Sequence, residues 1–256
     1  MKKIVISVVV PLLVLSCVIW YGGNAAEKDQ RGGAAVTTAT LRAQNLAAAK
    51  PLTAVVSEVP QREPDMVVTE YKSEESEAFL WKCLKKYSPN DVISAGIMGY
   101  FWRESFFRSD AVSGWATILG ETGIDISVRL TATVDEGLAD GSTKEMFIYV
   151  IREESGGYGL GQWFSIGYLD TLYDFAQAWG TSLGDAEMQC AFVVESMKAN
   201  TELWDALLQT DDPETAGELI AIYYDGTSVG VGYIGDMAVE FYDKHHEAED
   251  AQSVAA

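Results

Sequence analysis

One glutamate stands where its surroundings favour proton donation. Glu104 ends an apolar run that begins at Val92 and is typical of a buried helix. The macrodipole disfavours a negative charge at the C-terminal end of a helix, and the aromatic neighbours of Glu104 would exclude water from it. Both effects raise the pKa of a carboxyl group, which suits a general acid near neutral pH. The alternative is a surface ion pair with Arg103 or Arg108.

A glycine-rich stretch at residues 156–163, Gly-Gly-Tyr-Gly-Leu-Gly-Gln-Trp, could bind a sugar. Its glycines let the backbone approach a ligand closely. Tyr158 and Trp163 offer flat faces for a sugar ring, and Gln162 offers both a donor and an acceptor. A phosphate-binding loop is excluded, because no Lys-Ser/Thr pair follows the glycines. A lone acid beside such a loop predicts a sugar-cleaving cleft; a structural turn around buried aromatics is the alternative.

Charge and composition narrow the class of partner. The formal net charge is −20, and 48% hydrophobic residues with seven tryptophans are enough to bury a core. So negative a surface repels phosphate backbones, which excludes nucleic acid as a partner. It also repels anionic wall polymers, so an enzyme acting on a cell wall would depend on tethering.

The N-terminus has the pattern of a targeting segment. Lys2 and Lys3 precede an apolar run from Ile4 to Tyr21, which indicates a membrane anchor or an export signal at residues 1–21. We expect a single-pass protein of the cell membrane with its C-terminal domain outside the cytoplasm, or a secreted protein if the run is cleaved. Lipidation at Cys17 is a third alternative.

Three further segments are predicted. Residues 22–70 are rich in Ala, Thr, Gly and Pro and predict a flexible linker. Residues 71–247 predict the globular domain, and residues 248–256 a disordered tail. Within the domain the apolar spacing predicts helices at 74–87, 92–104, 169–179, 185–197, 202–209, 213–224 and 234–246.

The middle of the domain is harder to interpret. Residues 111–155 fit a short hairpin or helical pieces, and Met146–Ile151 is typical of a strand. The acids Asp125 and Asp135 lie in this region and could face a cleft. Gly96 and Gly99, inside the predicted helix before Glu104, would let another helix approach closely.

Other chemistries are not indicated. His245 and His246 are neighbours and would point in different directions on a helix, so we expect solvated side chains and no metal site. Cys83 and Cys190 lie in apolar helical patterns and have structural roles, with a disulfide permitted outside the cytoplasm. No cofactor is expected.

The two opening stretches together resemble the phage tail-tip lysozyme family, which also supplies wall-cleaving domains of conjugative-element hydrolases. The resemblance spans about residues 74–246. It is carried by Gly96-Ile97-Met98-Gly99, Glu104-Ser105, Phe107-Arg108-Ser109 and Gly157-Tyr158-Gly159-Leu160-Gly161-Gln162-Trp163. It implies a mainly α, lysozyme-like (α+β) fold: a helical bundle around a cleft, with a small β-hairpin or irregular lobe.

The resemblance also implies roles for individual residues. Glu104 would protonate the glycosidic oxygen and Ser105 would support it, while Tyr158, Gln162 and Trp163 would line the saccharide cleft. The second-carboxylate candidates are Asp125 and Asp135. Three residues depart from the family pattern: Phe106 where Gly is common, Phe164 in place of the usual Thr, and Tyr168 at a position that is often Arg.

The expected function is therefore a membrane-tethered muramidase that cleaves peptidoglycan glycan strands. It would open the wall locally during conjugative transfer or phage-type penetration, in contact with a secretion or conjugation apparatus. Two alternatives stay open, a lytic transglycosylase and a non-catalytic wall-binding or assembly module.

Overall fold

The computed structural model describes the backbone of residues 73–112 and 126–255, and this part of the chain is mostly helical. The helices are α1 (Ser73–Tyr87), α2 (Asp91–Ser105), α3 (Ile126–Glu136), α4 (Lys144–Glu154), α5 (Ile166–Trp179), α6 (Ala186–Ala199), α7 (Thr201–Gln209), α8 (Pro213–Ile220) and α9 (Val231–Ala255). A π-helical turn, Ala221–Asp225, continues α8. The expectation of a mainly α, lysozyme-like fold is confirmed.

Short polar residues fix where several helices begin. The side chain of Asn90 accepts a hydrogen bond from the backbone amide of Ile93, which satisfies a free donor in the first turn of α2. Asp212 does the same for α8, whose first residue is Pro213. Ser165 and Asp185 cap α5 and α6 in the same way. These signals are local, which explains why most helix starts were predictable.

Helix α2 lies at the centre, packed against α8 and α9. Glycines form the contacts of α2 with these helices and leave no room for a side chain. A Cβ added to Gly99 would lie 2.5 Å from the carbonyl oxygen of Ile234 in α9. A Cβ on Gly96 would meet the backbone carbon of Ala216 in α8 at 3.0 Å. The prediction that these glycines allow close helix packing is confirmed.

The predicted strand at Met146–Ile151 is wrong, because the segment lies inside α4. Phe147 and Ile151, one turn apart, are fully buried, whereas Tyr149 between them is exposed. That is the burial period of a helix, and it outweighs the β-branched and aromatic composition that suggested a strand. The expected hairpin reduces, in the described residues, to two isolated bridges that pair Tyr158 with Val112 and with Trp163.

The C-terminal end also differs from the prediction. Helix α9 begins at Val231 and continues to Ala255, through most of the segment assigned to a disordered tail. The two histidines on it are not simply solvated. His245 stacks on Trp81 at 4.5 Å and lies 3.1 Å from Glu77, while His246 lies 3.2 Å from Asp91. These contacts hold α9 against α1 and the start of α2.

Several predictions concern the rest of the chain. The anchor or signal at 1–21, the linker at 22–70 and Asp125 lie outside the described residues. Among residues 73–112 and 126–255, no helix combines the length and apolar character needed to cross a membrane. Within the same ranges, Cys83 and Cys190 are buried free thiols, and no cluster of three or more potential metal ligands occurs.

Replacing Gly99 with alanine should destabilise the domain by about 1–3 kcal/mol, because the new methyl group overlaps the backbone of α9. Gly232→Ala is the matched control, since a Cβ there has no neighbour within 4 Å and alanine favours the helix by about 0.5–1 kcal/mol. Urea unfolding of the two variants measures both effects. Equal stabilities would contradict the packing described for α2.

Candidate active site

Two carboxylates share one arginine at the exposed end of α2. The Nη1 atom of Arg103 lies 2.9 Å from Oε1 of Glu104 and 3.1 Å from Oδ2 of Asp225. The two oxygens are therefore no more than about 6 Å apart, the sum of those distances. Asp225 is the acidic partner that was not identified from the sequence.

The packing of two helices brings these groups together. Arg103 and Glu104 lie in the last turn of α2, and Asp225 is the final residue of the π-turn that extends α8. Because α2 packs along α8, the end of α2 and this turn meet. π-Helical turns are rare and frequently occur at functional sites. The turn is followed by Gly226, which adopts the left-handed conformation that glycine tolerates.

Burial and charge set the protonation of the pair. The pKa of Glu104 is raised to about 7, mainly by burial and further by the negative charge of Asp225, against the opposing effect of Arg103. Burial also raises the pKa of Asp225, against the effect of the same arginine. The Glu104 side chain is still 19% exposed. Glu104 can thus hold a proton near neutral pH at a position that solvent and ligand can reach.

The predicted upward shift of the Glu104 pKa is therefore found, and burial is its largest cause. The alternative interpretation, an ion pair with Arg103, is found as well. The two do not conflict, because the effect of burial exceeds that of the arginine. The contribution of Asp225 was not foreseen.

A tyrosine network joins the acid to the glycine-rich turn. Tyr100, one helical turn before Glu104, donates a hydrogen bond of 2.5 Å to the carbonyl oxygen of Gly161. Its ring packs edge-on against Tyr224 at 5.7 Å. The hydroxyl of Tyr224 accepts a 2.9 Å hydrogen bond from the indole of Trp163. The structure thus brings the two stretches singled out from the sequence to one place.

The aromatic rings of the turn do not face a cleft. Tyr158 is fully buried with its hydroxyl 2.7 Å from Oγ1 of Thr131, and Trp163 is buried against Phe192. The prediction that both rings offer flat faces to a sugar is therefore wrong, and the alternative of a structural turn around buried aromatics fits. Glycine-rich aromatic sequences serve both purposes, so only packing distinguishes them.

Gln162 and Ser105 are held by backbone groups. The side-chain amide nitrogen of Gln162 (Nε2) donates hydrogen bonds to the backbone carbonyl oxygens of Ala111 and Gly159, at 3.1 and 2.9 Å. Its Oε1 is buried and has no hydrogen-bond partner within the described part of the chain. The hydroxyl of Ser105 donates to the carbonyl oxygen of Phe101 at 3.0 Å, and it closes the end of α2 rather than contacting Glu104.

Asp135 is a structural residue. Its two oxygens accept hydrogen bonds from the hydroxyl of Ser182 at 2.5 Å and from the backbone amide of Leu183 at 2.9 Å. Both bonds fix the loop before α6, so Asp135 is not the partner of Glu104. Sequence offered little to indicate Asp225: an Asp-Gly pair before a glycine-rich loop.

A mainly helical domain with a proton-holding glutamate beside a second carboxylate has the site chemistry of a glycoside hydrolase. The chain belongs to the phage tail lysozyme family, because the model of that family, Phage tail lysozyme, matches residues 76–245. The domain is accordingly a lysozyme-like peptidoglycan hydrolase domain. Neither a curated protein nor a solved structure matches the chain.

The three departures from the family pattern include two exposed rings and one partly covered ring. Phe106 and Phe164 are exposed. Tyr168 packs edge-on against Tyr224 at 5.4 Å, and burial raises its pKa to about 12, with an added effect from the charge of Asp225. Tyr168 thus places an uncharged ring beside Tyr224, at the position where the family pattern often has Arg.

Removing the hydroxyl of Tyr158 should weaken the fold without changing the site. Tyr158→Phe loses a buried hydrogen bond to Thr131, which we expect to cost about 1–2 kcal/mol of unfolding free energy. Tyr149→Phe, at an exposed position, is the control and should leave stability unchanged. A variant with unchanged stability and weaker glycan binding would restore the ligand-binding role.

Glu104→Gln should stabilise the folded domain at alkaline pH. A carboxyl with a raised folded-state pKa contributes stability below its unfolded value of 4.5, and that contribution is lost as pH rises through about 7. The neutral amide avoids the loss, so we expect a gain on the order of 2 kcal/mol at pH 8 that declines towards zero near pH 4. Urea titrations at both pH values measure it; a gain independent of pH would contradict the raised pKa.

Proposed function

We propose that this domain is a muramidase that hydrolyses the bond between N-acetylmuramic acid and N-acetylglucosamine, with Glu104 as the general acid. The observation that carries the proposal is the pairing of Glu104 and Asp225 on Arg103. Enzymes of this class use two carboxyl groups that flank the bond to be broken, one protonated and one ionised. The raised pKa of Glu104 supports its assignment as the protonated member.

In this mechanism Glu104 transfers its proton to the glycosidic oxygen as the bond to the sugar carbon breaks. Positive charge then develops on the sugar ring and its oxygen, and the carboxylate of Asp225 stabilises that charge. Burial raises the pKa of Asp225, and the charge and hydrogen bond of Arg103 oppose that rise and so favour the ionised form. Water completes the reaction at the sugar carbon, and Glu104 regains a proton.

The separation of the carboxylates favours one stereochemical outcome. Inverting enzymes place their carboxyl groups about 6.5–9.5 Å apart, and retaining enzymes about 5–5.5 Å apart. The limit set by Arg103, about 6 Å between one oxygen of each group, is closer to the retaining spacing than to most of the inverting range. We therefore propose retention of configuration, with Asp225 as nucleophile or charge stabiliser.

The two alternatives are less well supported. A lytic transglycosylase needs one acid, since a hydroxyl of the substrate attacks, and the presence of Asp225 favours hydrolysis. A non-catalytic wall-binding module would have no use for a half-buried acid with a raised pKa.

The cellular setting is a separate proposal. We propose that residues 1–21 hold the protein in the membrane and that residues 22–70 span into the wall. Lys2 and Lys3 before an apolar run support the anchor. The charge of −20 supports tethering, because free diffusion to an anionic wall would be opposed. Confined cleavage suits local wall opening by a conjugation, secretion or phage-type entry apparatus.

Glu104→Gln should lower kcat on purified peptidoglycan by about 10²–10⁴-fold, because the amide cannot donate the proton. Zymography and mass analysis of the released glycans measure cleavage, and reducing ends without anhydro-sugar identify hydrolysis. Glu240→Gln, an exposed glutamate of α9, is the matched control. Unimpaired cleavage by Glu104→Gln would refute the assignment.

The wild-type rate should fall above about pH 7, where Glu104 loses its proton. In Asp225→Asn this alkaline limb should shift to lower pH, because the negative charge that raises the pKa of Glu104 is gone. The pH profile of kcat/KM measures both effects. An alkaline limb that moves the other way would contradict the coupling of the two carboxylates.

A further inference from the structure

We propose that Tyr224 is a positioning residue, whose side chain fixes the π-turn so that the next residue, Asp225, stays on the arginine it shares with Glu104. The inference rests on the proposed function and names the residue that sets up its carboxylate pair. Tyr224 directly precedes Asp225 in the turn and is buried, with 8% of its surface exposed. It acts through its neighbour in the chain, without contact to a substrate.

The hydroxyl of Tyr224 is fixed by two separate parts of the bundle. It accepts a 2.9 Å hydrogen bond from the indole N–H of Trp163 in the glycine-rich turn. It also lies 2.6 Å from Oγ of Ser196, a buried serine of α6 that donates to the carbonyl oxygen of Val193 at 2.9 Å. Buried polar groups are costly to leave without partners, so these bonds hold the hydroxyl in one place.

The ring of Tyr224 packs against the helix that carries the acid. It meets Tyr100 of α2 edge-on at 5.7 Å, one helical turn before Glu104. Tyr168 of α5 packs edge-on against the same ring at 5.4 Å. Edge-on aromatic pairs have a preferred geometry. One side chain therefore joins the π-turn to α2, α5, α6 and the glycine-rich turn.

The charges of the site do not by themselves account for the position of Asp225. Burial raises the pKa of Asp225, so its carboxylate lies where its charge is less favourable than in water. It also repels an ionised Glu104. Its ion pair with Arg103 is partly exposed, and pairs of this kind contribute little to stability. The packing and hydrogen bonds of Tyr224 supply the constraint that keeps the turn in place.

The ionisation of Glu104 reports where Asp225 lies. The charge of Asp225 raises the pKa of Glu104, and Arg103 lowers it. If the turn relaxes and Asp225 moves away, the first effect weakens and Arg103 is left to Glu104 alone, so the pKa of Glu104 falls. Burial raises the pKa of the three tyrosines of the network, so none of them titrates near neutral pH; they are Tyr100, Tyr168 and Tyr224.

The test follows the carboxyl carbon of Glu104 by NMR in the full chain, with ¹³C-labelled glutamate and Glu104→Gln for assignment. Tyr224→Phe removes the hydroxyl and keeps the ring. The pKa of Glu104 should fall by up to about one pH unit, since the charge of Asp225 is displaced but not removed. The alkaline limb of kcat/KM on peptidoglycan should move down equally, and kcat should fall about 10–10²-fold because the carboxylate is misplaced.

Two further variants complete the design. Ser196→Ala breaks the contact of the Tyr224 hydroxyl with α6 and should lower the pKa of Glu104 by a smaller amount, which keeps the proposal refutable if Tyr224→Phe does not fold. Tyr173→Phe is the matched control. Tyr173 is a buried tyrosine of α5 whose hydroxyl donates to the carbonyl oxygen of Gly137 at 3.0 Å. Its loss should weaken the fold and leave the pKa of Glu104 unchanged.

A double-mutant cycle separates positioning from a general effect on the fold. In an Asp225→Asn background, Tyr224→Phe should cause a clearly smaller fall in the pKa of Glu104, because the charge that it positions is absent. An equal fall with and without Asp225 would overturn the proposal. So would an equal fall in Tyr173→Phe, or an unchanged pKa in both Tyr224→Phe and Ser196→Ala.

Failure of the positioning role and failure of the proposed function give different results. If the wild-type protein leaves peptidoglycan uncut but the pKa of Glu104 depends on Tyr224, the muramidase proposal fails and the positioning role stands. If the wild type cleaves and the pKa of Glu104 is the same in Tyr224→Phe and Ser196→Ala as in the wild type, the positioning role fails and the muramidase proposal stands.

Discussion

The close approach of α2 to α8 and α9 is the constraint on which the site depends. Gly96 and Gly99 leave no room for a side chain between these helices, and Gly217 of α8 lies equally close to the backbone of α9 at Ile234. Only at this separation does the last turn of α2 meet the π-turn after α8. A bulkier residue at the crossing would move Arg103 and Glu104 relative to Asp225, and the shared ion pair would be lost.

One arginine contacts two half-buried carboxylates, and their surroundings set the protonation of each. Burial favours protonation of both, and Arg103 opposes that effect at each. Glu104 additionally feels the negative charge of Asp225, and its pKa rises to about 7. The proposed chemistry assigns a general acid and an ionised partner to these two similar groups on the basis of their different surroundings.

The glycine-rich turn is hydrogen-bonded to the two elements that carry the site residues, α2 and the π-turn after α8. Tyr100 binds the turn at Gly161, and Tyr224 links Trp163 to Ser196 of α6 through its hydroxyl. This network ties the acid-bearing helix to two other parts of the bundle.

The sequence by itself indicated Glu104 as the candidate acid, and it determined most helix positions, the small-residue packing of α2 and the family, because caps, periodicity and motifs are local properties of the chain. It did not determine that Met146–Ile151 is helical or that Tyr158 and Trp163 are buried. Composition permits both outcomes in each case, and packing selects one. The partner of Glu104 was decided by tertiary structure alone: Asp225 is remote in the chain, and only the crossing of α2 with α8 places both carboxylates on the same arginine.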